Sequence, residues 1–178
     1  MKRRIRNENR REVMLVGCVV VLAMAISLAQ NTPPNPAQET LDFINSPQGT
    51  GVVNKVQMLM KVSYAKVVFS NELVHASANT TLSPPVRQFA LDALQTYDKS
   101  ATNTYQEIEM YIATWPFLPD TEPAMTTDTI LTLKRGIELG SSAFVQLQSV
   151  LSDTNIPALY REKMGQLASN LLYEATSY

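Results

Sequence analysis

Glu72 and His75 come closest to a metal-binding motif by type and spacing. The Glu-x-x-His spacing places both side chains on one face of a helix, about one turn apart. A di-iron site inside a helical bundle needs two such pairs and two further glutamates. The chain holds a single histidine, which excludes such a site within one subunit. We therefore expect both side chains to be solvated near a helix end.

Other motifs for catalysis or cofactor binding are missing from the sequence. It holds no Cys-x-x-Cys-His haem attachment, no Gly-x-Ser-x-Gly nucleophile motif and no glycine-rich phosphate loop. His75 and a methionine are the residues that could form a haem axial pair. Glu107 and Glu109 lie two positions apart on a predicted helix, so their carboxylates do not face each other. We expect no enzymatic activity, no metal and no cofactor.

Asn79-Thr80-Thr81 matches the acceptor pattern for N-linked glycosylation. The pattern falls in a loop between two predicted helices. The pattern is functional only in a host that glycosylates exported proteins. Such short patterns also arise by chance. The sequence alone leaves the modification of Asn79 open.

The N-terminus indicates where the rest of the chain works. Residues 13–29 form an apolar run of 17 residues, and the preceding 12 residues contain six basic side chains. This order is typical of an export or membrane-insertion signal whose basic end stays in the cytoplasm. The length of the run lies between that of a signal peptide and that of a membrane span. We predict that residues 1–29 are either a signal peptide or an uncleaved transmembrane anchor.

Small residues at the end of the apolar run suit cleavage after Ala29, because Ser27 and Ala29 occupy the two positions that a signal peptidase reads. Cys18 follows Leu15-Val16-Gly17, which is the pattern before a lipidated cysteine. Most of the apolar run lies after Cys18, however, so we interpret it as an apolar residue of the segment. The rest of the chain is then periplasmic or secreted, or it stands outside the cytoplasm on a single-pass anchor.

The composition of residues 30–178 excludes several classes of partner. This part carries 9 basic and 14 acidic side chains, a net charge of −5. A mildly acidic domain without a basic cluster argues against nucleic acid and against anionic lipid as partners. The same residues contain no cysteine, which rules out disulfides and a Cys/His zinc site. Stability must therefore come from packing.

Helical periodicity dominates residues 30–178 and predicts an all-α chain. Residues 30–51 read as a linker that holds a short helix, Pro36–Asn45, capped by Asn35 and followed by a flexible joint at residues 49–51. Apolar residues then recur every three or four positions through residues 52–178. They predict four longer helices, at about Val52–Ala78, Pro84–Trp115, Asp128–Leu151 and Pro157–Ala175.

Short connections place consecutive helices antiparallel. We therefore predict an up-down-up-down four-helix bundle over residues 52–178. Residues 98–104 are weakly apolar, and a kink in the second helix is expected there. Gly136 and Gly140 lie one turn apart in the third helix and predict close approach of a neighbouring helix. A strand over residues 66–69 is the alternative that β-branched residues leave open.

The loop after the second predicted helix gathers Trp115, Phe117 and Leu118 between prolines. One interpretation is a hydrophobic plug at the end of the bundle, and the other is an exposed contact for a partner. We expect an exported or membrane-tethered protein of structural or interaction type. It would meet the membrane through residues 13–29 if these stay uncleaved, and it would bind a protein partner or itself. The alternative is an extracytoplasmic bundle that binds a ligand or cofactor, such as haem, or acts as a sensor.

Overall fold

A computed structural model of the chain describes residues 35–114 and 124–176, with side chains up to Leu171. Within these ranges the chain forms helices and no strand, which confirms the all-α prediction. None of the helices described there is long and apolar enough to cross a membrane. Residues 13–29, the predicted signal or anchor, lie outside the described residues, as does the cleavage position after Ala29.

Six helices follow one another in the part of the chain that the structure describes. They are α1 (Pro36–Asn45), α2 (Pro47–Ala78), α3 (Pro84–Thr96), α4 (Tyr105–Ala113), α5 (Thr127–Ser152) and α6 (Ala158–Thr176). The predicted short helix has the predicted bounds, and the third and fourth long helices differ from prediction by one residue at each end. Residues 66–69 are helical, so the alternative of a strand is wrong.

The junction between α1 and α2 is tight, and the predicted flexible joint at residues 49–51 is wrong. Ser46 donates its hydroxyl proton to the Phe43 carbonyl and accepts from the Gly49 amide at 2.9 Å. It therefore closes α1 and caps α2, and Pro47 supplies the fixed φ that suits a first helical position. A Cβ at Gly49 would overlap the Phe43 carbonyl, so glycine is needed here for close approach and not for flexibility.

The single helix predicted over Pro84–Trp115 is wrong, because residues 97–104 leave the helical path. Asp98 starts a turn by accepting from the Ser100 amide at 2.9 Å. Thr104 then begins α4 with a capping box, in which Thr104 and Glu107 each accept from the other's backbone amide. Side chains of residues 98–104 thus satisfy backbone groups that a continuous helix would have paired internally.

α2 and α5 are a long antiparallel pair at the centre of the domain. Gly136 lies against the Phe69 ring, and Gly140 lies against Lys66 and the Val62 carbonyl, so numbers rise along α5 as they fall along α2. A Cβ at position 140 would lie 2.5 Å from Lys66 Cβ. The prediction of close helix approach at the two glycines is confirmed.

Buried side chains form two clusters along the α2–α5 pair. The α3-side cluster fills the space between α2, α3 and the first half of α5; its buried members are Phe69, Leu73, Ala76, Ala90, Ala93, Ile130, Leu133 and Ile137. The α6-side cluster lies between α2, α4, α6 and the later part of α5; its buried members are Val56, Leu59, Met60, Val62, Ile108, Leu139, Ala143, Leu147, Ile156, Tyr160 and Ala168. α2 and α5 therefore contribute side chains to both clusters, whereas α3, α4 and α6 each contribute to one of them.

Candidate functional site

The Glu72–His75 pair, which has the spacing of a metal motif, lies in the last two turns of α2. His75 is exposed near the end of α2, and Glu72 is half-buried one turn earlier. Among residues 35–114 and 124–176, no group of three or more His, Cys, Asp or Glu side chains is placed to hold a metal ion. What the structure shows for His75 is a solvent-facing side chain one turn before the Asn79 cap.

A small cavity lies between α2, α5 and α6. Its volume is about 10 Å³, which is the space that one water molecule needs. The lining is mostly apolar and consists of Met60, Ser63, Tyr64, Phe144, Leu147, Ala168 and Leu171. Pockets for drug-sized ligands are of the order of 300–1,000 Å³. This cavity therefore has no room for haem or for a ligand of that size.

Glu107 and Glu109 do not act as a carboxylate pair. Glu107 accepts from the Thr104 backbone amide at 2.7 Å as part of the capping box that starts α4. Glu109 is exposed on the same short helix. Their roles are helix capping for the first and solvation for the second.

A polar clamp holds residues 97–104 against α5. Asn103, only 7% exposed, donates its backbone and side-chain N–H groups to the Ser142 hydroxyl at 3.2 and 3.1 Å. Its side-chain oxygen accepts from Arg135 at 2.8 Å, and its carbonyl accepts from Gln146 at 2.7 Å. Ser142 in turn donates to the Ala101 carbonyl. The sequence prediction missed this clamp, since its members lie about 40 residues apart and share no pattern.

α4 runs antiparallel to α5, and a hydrogen bond from Tyr111 ties its far end. The Gln146–Asn103 bond marks the start of this contact, and at the other end Tyr111 donates its hydroxyl proton to the Thr132 carbonyl at 2.7 Å. Burial raises the pKa of the Tyr111 phenol far above its ordinary value, against a smaller opposing effect of Arg135. The hydroxyl is therefore protonated at physiological pH and keeps its role as donor.

Two exposed apolar side chains stand beside this last bond. Met110 precedes Tyr111 and is 67% exposed, while Leu131 precedes Thr132 and is 50% exposed. Because Tyr111 and Thr132 are hydrogen-bonded, Met110 and Leu131 lie at the same end of the α4–α5 contact. We call these two residues the 110/131 patch, a name for the exposed apolar side chains at this end of the α4–α5 contact. It lies where the chain leaves α4 and where it returns to α5.

The predicted contact residues Trp115, Phe117 and Leu118 lie outside the described residues. They belong to residues 115–123, which join the two elements that carry the 110/131 patch. The choice between a plug and a partner contact stays a prediction for these three residues. Periodicity gave no signal for Met110, because an exposed methionine on an amphipathic helix looks like any other surface position.

Comparisons with protein-family models, with curated proteins and with solved structures find no match to this chain.

Proposed function

We propose that this chain is an exported or membrane-tethered protein that works by binding a protein partner through an apolar surface. The observation that carries the proposal is the 110/131 patch. Its two large apolar side chains are exposed at the end of α4 and near the start of α5. Exposed apolar patches with a polar rim are typical of protein contact sites. The predicted contact residues Trp115, Phe117 and Leu118 follow α4 directly in the sequence and belong to the same proposal.

The partner in this proposal is a protein with an apolar contact face, and not a lipid surface. The chain after residue 29 carries a net charge of −5, which disfavours anionic membranes. Acidic side chains also stand near the patch, since Glu109 is next to Met110 and Asp128 lies one turn before Leu131. An apolar centre with an acidic rim suits a partner that presents apolar side chains among basic ones.

The four-helix-bundle architecture is part of the same proposal. Its long members would be α2, α3, α5 and α6, with α4 as an added helix between the second and the third. What supports it is that α3, α5 and α6 each pack against α2. In this arrangement α4 is an addition to a simple bundle, and the 110/131 patch lies where that addition meets α5.

Site-directed cross-linking in the native host tests the contact. A photoreactive residue replaces Met110 in the full-length chain, and in a matched chain it replaces Val145, which is 64% exposed farther along α5. We expect a defined partner to be captured at position 110 and not at position 145. The captured protein is then purified and its affinity measured against variants.

Leu131→Asp should weaken that affinity at least about tenfold, since burying an unpaired charge at an interface costs more than 1.4 kcal/mol. Val145→Asp should leave the affinity unchanged. Equal affinities for both variants would contradict the contact at the 110/131 patch. Binding to neutral vesicles that Leu131→Asp abolishes would instead identify a lipid surface as the ligand.

A further inference from the structure

The turn between α2 and α3 holds the chain's acceptor pattern in an ordered, solvent-facing conformation. Asn79 caps α2, and its backbone amide donates to the Ala76 carbonyl at 3.3 Å. Its carbonyl accepts from the Leu82 amide at 3.1 Å. Both backbone groups of Asn79 are therefore satisfied inside the turn, and its side chain, like those of Thr80 and Thr81, is exposed.

The side chains of the pattern are already arranged around one oxygen. Asn79 Oδ1 accepts from the Thr81 backbone amide at 3.0 Å and from the Thr81 hydroxyl at 2.8 Å. This turn is one that asparagine and aspartate form readily with their own backbone. It directs Oδ1 toward Thr81 and leaves Asn79 Nδ2, the atom that would receive a sugar, outside these two bonds.

We propose that Asn79 is the acceptor for an N-linked oligosaccharide. This inference rests on the export that the proposed function includes, because the transfer takes place outside the cytoplasm. The donor is an oligosaccharide joined to a lipid through a diphosphate. The bond between sugar C1 and the diphosphate oxygen breaks, and a bond from C1 to Asn79 Nδ2 forms. The lipid diphosphate leaves with the electron pair, and Nδ2 loses one of its two protons to a base.

Asn79 also has the room that a bulky glycan needs. The first turn of α3 opens with the exposed residues Pro84 and Pro85, and the residues of the loop contribute one half-buried side chain, Leu82, to the α3-side cluster. A glycan on Nδ2 would thus extend into solvent and displace no buried group. Because the pattern is formed by a turn and not by a helix, an enzyme can also approach its backbone from outside.

Asn79 stands at the end of the longest described helix. α2 has 32 residues and spans about 48 Å, at 1.5 Å per residue. Asn79 lies at the end of α2 opposite to the junction with α1. A glycan on Asn79 would therefore be a full helix length away from that junction.

Translation of the full-length chain in the presence of rough microsomes, which contain the lipid-linked donor, tests the proposal. Two readouts are kept apart: protection from added protease reports export, and a mass increase of one oligosaccharide, removable by an endoglycosidase, reports modification. A second chain carries an established secretory leader in place of residues 1–29, so that it reaches the lumen whatever the native segment does. We expect one glycan on both chains.

Matched variants distinguish the loss of the acceptor nitrogen from the loss of the turn around it. Asn79→Asp keeps the oxygen that Thr81 donates to and removes Nδ2, so it should keep the fold and lose the glycan. Thr81→Ala should lose the glycan through loss of the hydroxyl, while Thr81→Ser and Thr80→Ala should retain it. A glycan that persists in Asn79→Asp would overturn the assignment to this residue.

The outcomes also distinguish this inference from the proposed function. A native chain that is protected but unmodified overturns the glycan and leaves the export proposal standing. A native chain that is not protected overturns export, and the chain with the established leader then decides the acceptor: a mass increase supports Asn79, and an unchanged mass overturns it.

Discussion

Two regions of the domain are attached to α5 by different means. α3 is held by apolar contact, with Ala90 and Ala93 buried in the α3-side cluster against Leu73 and Ile130. The segment before α4 is held by the polar clamp, in which Asn103 and its partners on α5 satisfy one another. Apolar attachment is spread over many weak contacts, whereas the clamp depends on a few directional bonds. α3 should therefore detach only when the whole domain unfolds, whereas the segment before α4 should open locally.

The strongest test of the apolar region is Leu133→Asp. Leu133 is 3% exposed in the α3-side cluster, so the variant buries a charge without a partner. We expect a loss of at least about 4 kcal/mol in the free energy of unfolding, a large share of the roughly 5–15 kcal/mol that stabilises a typical domain. Urea denaturation followed by far-ultraviolet circular dichroism would measure the loss.

The matched control lies two positions away. Leu131 is 50% exposed, and Leu131→Asp should change the free energy of unfolding by less than about 0.5 kcal/mol. Equal and large losses in both variants would show that the outer side of α5 is also buried. An unchanged urea midpoint in Leu133→Asp would contradict the assignment of the α3-side cluster.

Gly140→Ala tests the α2–α5 contact on which both regions depend. The added Cβ would lie 2.5 Å from Lys66 Cβ and 2.9 Å from the Val62 carbonyl oxygen, and backbone cannot easily move away. We expect a loss of about 3 kcal/mol from overpacking, measured by urea denaturation. Gly165→Ala in α6 meets no atom within 4 Å and should gain up to about 1 kcal/mol. Similar effects of the two substitutions would rule out close approach at Gly140.

Ser142→Ala tests the polar clamp. It removes the acceptor for both N–H groups of Asn103, which is buried, and it leaves them unpaired. We expect a loss of about 2 kcal/mol. Hydrogen exchange should accelerate in residues 97–113 far more than in α3, because the bonds lost belong to that segment alone.

The neighbouring serine is the control for this variant. Ser141 donates its hydroxyl proton to the Ile137 carbonyl within its own helix at 3.0 Å. Ser141→Ala should therefore cost less than about 0.5 kcal/mol and leave exchange in residues 97–113 unchanged. Uniform acceleration over all helices in Ser142→Ala would mean that the two regions open together, and the contrast between them would be lost.

The smallest effect is expected at high pH in the α6-side cluster. Tyr160 is 2% exposed and packs against Phe43 with ring centroids 6.0 Å apart. Burial raises the pKa of Tyr160 to about 12, from 10.0 for a free phenol. Between about pH 10 and 12, Tyr160 is ionised in the unfolded chain and neutral in the folded one. The stability that is present below pH 10 is therefore lost as the pH rises through 12.

Tyr160→Phe should reduce that alkaline loss. The difference between urea midpoints at pH 8 and pH 11 should be smaller in the variant than in the unchanged protein. The midpoint at pH 8 is the internal control, since it reports any packing effect of the missing hydroxyl. An identical difference in both proteins would show that Tyr160 ionises freely in the folded state.

The contrast between the regions also explains what could be predicted from the sequence. The apolar attachments follow a helical period, so the buried side chains Leu133, Ile137 and Leu147 were predictable, as were the bounds of α5 and α6 to within one residue. The bounds of α1 were predictable from its capping residue, Asn35. The close approach at Gly140 was predictable because a glycine inside a helix needs a compensating contact.

The polar attachments were not predictable. Nothing in the residues around Asn103 points to Ser142, because a bond between polar side chains far apart in sequence leaves no periodic trace. The same lack of signal made the break after Thr96 look like a kink, because Tyr97, Ala101 and Thr104 keep a helical spacing across a weakly apolar segment. For the candidate site, the sequence indicated the loop with Trp115 but not the exposed Met110 beside it.

The serine between α1 and α2 has a mechanical consequence. Its hydroxyl binds the last turn of one helix and the first turn of the next, and Gly49 lets the two backbones meet without a spacer. Since α1 also packs against α2, little free chain lies between the two helices. If the chain is pulled at residue 35, the load passes through α1 into α2, and from there into both halves of the domain. A domain anchored at that end would transmit tension instead of absorbing it.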